Sequence, residues 1–204
     1  MTSQLRLHRI AASHARGADP VWLADHWPAA ALETATPFVH VARSEAQLAA
    51  VGRMLGELYT PEGYWGRGAG HRSFIDPTDR RSLVFFAEQE GRILASVRLT
   101  PAGEVDNDSH LTRLVQAVQP QDLGAVMVVS RLAVRRELAA RALTLPLMRQ
   151  VHRSARLAGA RQSFTASRSV LHPLLAPFGW QRTGLSFCDP AVGELDVFRF
   201  DLHD

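Results

Sequence analysis

The stretch 124–134, Gly-Ala-Val-Met-Val-Val-Ser-Arg-Leu-Ala-Val, constrains the fold more than any other part of the chain. It is rich in Val and Met and shows no alternation of polar residues, so it predicts a central strand buried on both faces. The following segment, 138–158, predicts a helix stopped by Gly159. Pro146 lies inside it and predicts either a kink or a later start. A strand that turns tightly into a helix points unpaired N–H groups at whatever lies above the turn, and the helix dipole favours an anion there.

The rest of the chain fills in around this unit. Residues 1–36 differ in character from the remainder, with Gly17, Pro20, Pro28 and the pair Trp22 and Trp27. They predict an N-terminal extension, with a short helix after Pro20 that docks on the main domain or covers a substrate channel. The main domain occupies 37–204. Residues 38–41 read as a strand, and Ser44 with Gln47 three residues on forms a capping-box signature. Leu48, Val51, Leu55 and Leu58 recur at helical spacing as far as Tyr59. A Gly-rich loop with Tyr64 and Trp65 comes next.

Residues 82–88 and 92–100 read as a hairpin joined at Glu90-Gly91, and 111–118 as a short helix. After the central strand and long helix come a strand at 162–166, a short helix at 169–175, and strands at 180–187 and 194–202. The order predicts an α/β fold: one mixed, mostly antiparallel sheet flanked by helices on both faces.

Composition narrows the function classes. One cysteine, Cys188, excludes a disulfide framework and a Cys-rich zinc site; beside Phe187 it reads as a buried small hydrophobe. The net charge is +3 and Lys is absent, so all 23 basic residues are Arg. This excess suits CoA phosphates, an acidic carrier protein or nucleic acid without choosing among them. The arginines form no aromatic-interleaved basic stretch, so a nucleic-acid role has no support. The nine histidines do not pair with carboxylates at metal-ligand spacings, so no metal is expected. No apolar run approaches the ~20 residues of a membrane span, and no secretory leader is visible, so a cytoplasmic protein is expected.

Four short motifs, in order, carry a resemblance. Asp76-Pro77-Thr78-Asp79 precedes the hairpin, and Val97-Arg98-Leu99 ends its second strand. Ser130-Arg131-Leu132-Ala133-Val134 closes the central strand, and Phe178-Gly179-Trp180 leads into Gly184 and the last strand. Over about 38–202 the chain resembles the GNAT-fold N-acyltransferases, and within them the acyl-homoserine-lactone (autoinducer) synthases and N-acyl amino acid synthases. The resemblance implies transfer of a medium or long acyl chain from a phosphopantetheine thioester, on acyl carrier protein or CoA, to an amine. The implied acceptor is an amino acid, a peptide or a related amine. It also implies that Arg98, Arg131, Asp76, Asp79 and Trp65 surround this acceptor. Arg98 and Arg131, on strands expected to be buried, need carboxylate partners in any case.

Arg135, Arg136 and Arg141, with the turn at Ala140 and Ala142, are the expected donor-phosphate site. The sequence departs from the family at three places. A Glu usual three residues before the central-strand Arg is Val128. The Gly-rich pyrophosphate turn reads Ala139-Ala140-Arg141-Ala142-Leu143-Thr144, and a tyrosine that often protonates the leaving thiolate is Leu175. A glycine-free turn suits a carrier protein's single phosphodiester better than the CoA pyrophosphate.

With Val128 in place of a carboxylate, the proton acceptor for the amine falls to loop residues: His110, Asp106, Asp108, Glu62 or His71. His172 and Ser167 are the candidates for protonating the thiolate. Two other readings stand beside this one: a CoA-dependent acetyltransferase of a small molecule or protein, and a non-catalytic domain of the same fold that binds an acyl ligand or a partner. Val128 and Leu175 keep the last in play.

Overall fold

The computed structural model describes residues 27–34, 36–61, 74–75, 77–105 and 109–202. The strands are β1 (Val39–Val41), β2 (Leu83–Gln89), β3 (Arg92–Pro101), β4 (Val126–Val134), β5 (Gln162–Ser167), β6 (Gln181–Asp189) and β7 (Gly193–Asp201). The helices are α1 (Ala29–Leu32), α2 (Glu45–Tyr59), α3 (Pro77–Arg80), α4 (Ser109–Val118), α5 (Leu138–Leu157) and α6 (His172–Leu175). The seven strands form one sheet in the order β1-β2-β3-β4-β5-β7-β6. Only β4 and β5 run parallel; every other neighbouring pair is antiparallel.

Alternation along the strands assigns the helices to faces. Leu83, Phe85 and Ala87 of β2 and Met127 and Val129 of β4 join α1, α5 and Leu175 of α6 in one apolar cluster. The alternate residues, Val84 and Phe86, meet α2. Val126 and Val128 meet Leu111 and Leu114 of α4. β4 is therefore buried on both faces, because a helix layer covers each side of it.

Local chemistry explains the boundaries. Ser44 caps α2 by accepting from the Gln47 N–H at 3.3 Å. Gln47 Oε1 returns the contact one residue early, accepting from Arg43 N at 2.8 Å. Glu90 and Gly91 both have positive φ, 52° and 72°, as a two-residue primed hairpin turn requires. α5 starts at Leu138 and contains Pro146, so of the two outcomes expected from that proline the later start does not occur.

Of the N-terminal extension, residues 27–34 lie among the described residues, and they dock on α5. Trp27, Ala31 and Leu32 enter the core. The α1 carbonyls are held from α5: Ser154 Oγ donates to Ala31 O, Gln150 Nε2 to Glu33 O at 3.0 Å, and Arg153 to the same oxygen at 2.6 Å. The expected helix carrying Trp22 lies outside the described residues.

At the C-terminal end of α5, His152 stacks on Phe200 with ring centroids 3.7 Å apart, and Trp180 sits 5.7 Å away. Burial pushes the His152 imidazole down to about 4, so it is neutral at physiological pH. Gly179 has φ 86°, and a Cβ there would meet the Phe200 ring at 2.8 Å. This position needs glycine both for its backbone and for the close approach of that ring.

One expectation fails on this side of the molecule. Cys188 is exposed. β6 is an edge strand that turns Phe187 and Asp189 toward α4, so the residue between them points away from it. A sequence window registers the apolar neighbours but not the edge.

Candidate active site

The sheet creates a cleft. β4 pairs with β5 only through Val126–Val128 and Gln162–Phe164, yet both strands run on, to Val134 and Ser167. Beyond Val128 the β5 side of β4 has no strand partner among the described residues. A bulge in β4 coincides with this parting: Ser96 pairs with Ala133 and Arg98 with Ser130, so Arg131 and Leu132 face Val97 alone. Arg131 takes φ 54°, rare for a side chain of its size, and this turns it onto the α2 face.

On that face lies a buried ionic cluster. Asp79, at the end of the short helix α3, accepts from Arg98 at 3.0 Å and from Arg131 at 2.8 and 3.0 Å. Arg98 also donates to Ser130 Oγ at 3.0 Å, and Arg131 to Phe74 O at 2.9 Å. Ser82 Oγ donates to Thr78 O at 2.6 Å and shares a 2.7 Å bond with Thr100, which fixes α3 to the sheet. The carboxylate is 5% exposed and the Arg98 side chain 3%. In such surroundings removing one partner strands a buried charge, so the cluster holds its own geometry.

The cluster borders a recess beneath α2, lined by Leu48, Val51, Gly52 and Leu55 from the helix and by Val84 and Ser96 from the sheet. Phe74 closes one side. Its ring lies so close to Gly56 that a Cβ there would come within 2.5 Å.

Where β4 ends, the chain turns through 135–137 into α5. Glu137 is the N-cap residue but makes no side-chain cap bond; its carboxylate pairs with Arg92 at 2.8 Å. The first N–H groups of α5 therefore have neither an intrahelical partner nor a cap at the mouth of the cleft. Arg136, Ala139, Arg141 and Ala142 are exposed there, while Ala140 is fully buried. Arg135 is committed elsewhere: its Nε donates to Ile93 O at 3.0 Å and its terminal nitrogen pairs with Glu57 of α2. Of the three arginines expected at the donor phosphates, this one ties β4 to α2.

The other side of the cleft carries Ser167, the last residue of β5, and His172, the first of α6. The His172 ring stacks on Phe198 at 5.4 Å. Leu175, in the tyrosine position, is buried in the core and supplies no proton. His110 is not brought to the Asp79 cluster. It sits on α4 against Phe187, 3.6 Å from Asp189 of β6, while Asp79 lies over β3 and β4. Asp189 is anchored by the N–H groups of Ala191 and Val192, which donate to it at 2.8 and 3.2 Å. Asp76, Trp65, Glu62, His71, Asp106 and Asp108 lie outside the described residues.

Three side chains at the site escape sequence reasoning. Tyr59 donates to Leu132 O of the bulge at 3.4 Å, Ser130 positions Arg98, and Ser96 lines the recess. Ser130 lies within the Ser130–Val134 motif, but its bond to Arg98 depends on β3 lying beside β4, and only the order of the strands brings the three side chains together. Among the described residues no group of three His, Cys, Asp or Glu side chains converges to hold a metal, and no helix is long and apolar enough to cross a membrane.

No family model and no curated protein matches the sequence. Solved structures do match the fold. The chain is similar to BjaI, a CoA-dependent acyl-homoserine lactone synthase solved with SAM and isopentyl-CoA, with TM-score 0.65 and 19% identity over 81% of this chain and 83% of that one. It is similar to the AHL synthase LasI, with TM-score 0.62 and 14% identity over 81% and 89%. A putative N-acetyltransferase from Lactobacillus plantarum gives TM-score 0.58 and 14% identity over 81% and 97%. The chain thus has the mixed-sheet fold that acyl-homoserine lactone synthases share with the N-acetyltransferases.

Proposed function

We propose that this protein is an N-acyltransferase that moves a medium or long acyl chain from a phosphopantetheine thioester to the amine of an amino acid or related acceptor. The observation that carries the reading is the parting of β4 from β5 beyond Val128, with the α5 N-terminus just past the end of β4 and the Asp79 cluster gripping the bulge of the same strand. The uncapped α5 N-terminus with Arg136 and Arg141 suits a phosphate, and the Asp79–Arg98–Arg131 cluster supplies fixed charge on the side left for a polar acceptor.

The donor's phosphate rests on the free α5 amides and Arg141, so that the pantetheine enters between β4 and β5. Its thioester carbonyl meets the unpartnered edge of β4, whose backbone N–H groups are available to the developing oxyanion. The acceptor amine, neutral at the moment of attack, forms the N–C bond as the C–S bond breaks. The nitrogen's proton passes to a base through water, and the thiolate takes a proton from His172 or Ser167 on the β5 side. Arg98 and Arg131, held by Asp79, shape the acceptor side. His110, oriented by Asp189, is the described titratable group on α4 available as the base, and it requires a water chain to reach the amine.

Acyl carrier protein is the favoured donor, because the turn at Ala139–Ala142 has no glycine and Arg135 is already paired; both reduce what is left for a pyrophosphate. The competing donor is acyl-CoA, favoured by the similarity to BjaI, which is described as CoA-dependent. Thiol release from acetyl-CoA, a long-chain acyl-CoA and a long-chain acyl carrier protein, each with a mixed amine pool, decides between them. Release from the carrier protein alone is expected. Release from acetyl-CoA alone would replace the reading with a CoA-dependent acetyltransferase.

A further inference from the structure

The chain has 20 acidic residues, yet none lies between Leu138 and Cys188, where seven arginines stand. Much of this segment looks outward on one side of the molecule. α5 and α6 pack on the same face of the sheet, through Leu147, Met148, Val151 and Leu175. From Leu138 to Pro177 every exposed residue is Arg, Leu, Val, Ala or Pro, with Ser169 the one exception. In the opposite layer α2 exposes both signs of charge, with Glu45, Arg53 and Glu57.

Three aliphatic side chains stand out from this surface: Leu138 is 82% exposed, Val170 73% and Leu174 63%. Leu138 follows the carboxyl end of β4 and Val170 that of β5, so they lie on the two sides of the cleft. Arg149 and Arg156 continue the positive charge along the outside of α5, a helix about 30 Å long with no acidic residue.

Separated cations and isolated aliphatic tips suit an anionic lipid surface. Each Arg near such a surface strengthens partition about fivefold, and aliphatic side chains enter the boundary between headgroups and acyl chains. A folded acidic protein is the poorer fit. Protein interfaces centre on a contiguous apolar patch with aromatic anchors, surrounded by matched hydrogen bonds. Between Leu138 and Pro177 no aromatic ring and no neutral amide is exposed.

We infer that the α5–α6 face docks on an anionic lipid bilayer, with Leu138, Val170 and Leu174 entering its headgroup region. The surface stands on its charge and exposure alone. Its consequence rests on the acyl-transfer reading: the β4–β5 cleft opens at the edge of the docked face, so a long-chain N-acyl product leaves into lipid.

The test is cosedimentation of the full chain with vesicles of phosphatidylcholine, alone or mixed with phosphatidylglycerol. Wild type is compared with Arg149→Glu/Arg156→Glu, Val170→Ser/Leu174→Ser and, in the opposite layer, Arg53→Glu. Wild type is expected to bind only the vesicles with phosphatidylglycerol. Salt at about 1 M, where the screening length is about 3 Å, should release it. The double charge reversal is expected to weaken binding about tenfold or more, and the double serine variant about fivefold. Melting temperature and thiol release without vesicles should be unchanged in both. Arg53→Glu should stay within about twofold of wild type, because charges beyond a screening length contribute little.

No binding to phosphatidylglycerol vesicles overturns the inference, as does equal binding to phosphatidylcholine alone. So does a double serine variant that binds like wild type. A loss in Arg53→Glu as large as that in the α5 variant would mark net charge rather than a face, and also overturns it. If wild type ignores vesicles while the α5 variant raises KM for a long-chain acyl carrier protein, the face belongs to an acidic protein instead. Face-specific vesicle binding with no thiol release from any donor would sustain the surface and count against acyl transfer.

Discussion

His152 gives the fold a measurable acid sensitivity. Its imidazole, stacked on Phe200 beside Trp180, is pushed by burial from an ordinary 6.5 to about 4. The folded state therefore binds a proton less readily than the unfolded chain. The stability conferred by the neutral ring is fully present above about 6.5 and is lost as pH falls toward 4. A shift of this size corresponds to roughly 3 kcal/mol, at 1.36 kcal/mol per pH unit. For a chain of this length that is a fall in melting temperature of about 6–12 °C across the window.

Replacing His152 with Phe keeps an aromatic ring against Phe200 and removes the titration. Chemical denaturation of both proteins at half-unit steps from pH 8 to pH 4 isolates the effect, because every other group titrates in both. The variant is expected to be close to wild type above pH 7 and progressively more stable than wild type below 6.5. Parallel stability curves for the two proteins would refute the burial argument, as would a difference that grows on the alkaline side.

Other perturbations separate structural roles from functional ones. Asp79→Asn strands Arg98 and Arg131 in the interior and is expected to cost about 3–5 kcal/mol in urea denaturation, with acyl transfer lost alongside. Gly56→Ala pushes Phe74 off α2, so its melting temperature should fall despite the better helix former. Arg141→Glu should raise KM for the acyl donor about fivefold or more with little change in stability. Arg135→Gln should do the reverse, lowering stability by breaking the ties to Glu57 and Ile93 while leaving donor KM near wild type.

What could be read from the sequence depended on how local its cause is. The 124–134 strand was legible because burial on both faces leaves a continuous apolar run. The β2–β3 hairpin was legible because Glu90-Gly91 supplies the positive φ values that its turn needs. The start of α2 announced itself through Ser44 and Gln47. The pairing of Asp79 with Arg98 and Arg131 was readable only through the resemblance and the need of a buried Arg for a carboxylate.

The remainder is tertiary. Arg135 read as a phosphate ligand because nothing nearby in sequence reveals Glu57, 78 residues away. Cys188 read as buried because its neighbours are apolar, whereas exposure arises from the place of β6 at the sheet edge. In the sequence His110 reads as an acceptor-side loop residue, whereas α4 carries it over β6, beside Asp189. The recess was not legible at all, since Ser96 and Gly52 are ordinary residues until β3 and α2 are stacked.

The most direct test of acyl transfer is to quantify, in one reaction, the thiol released from a long-chain acyl carrier protein and the N-acyl product formed from an amino acid pool. The account predicts one N-acyl product per thiol, both abolished by leaving out the amines. Thiol release that continues unchanged without amines would mark thioester hydrolysis and contradict the account, as would no release from any acyl donor.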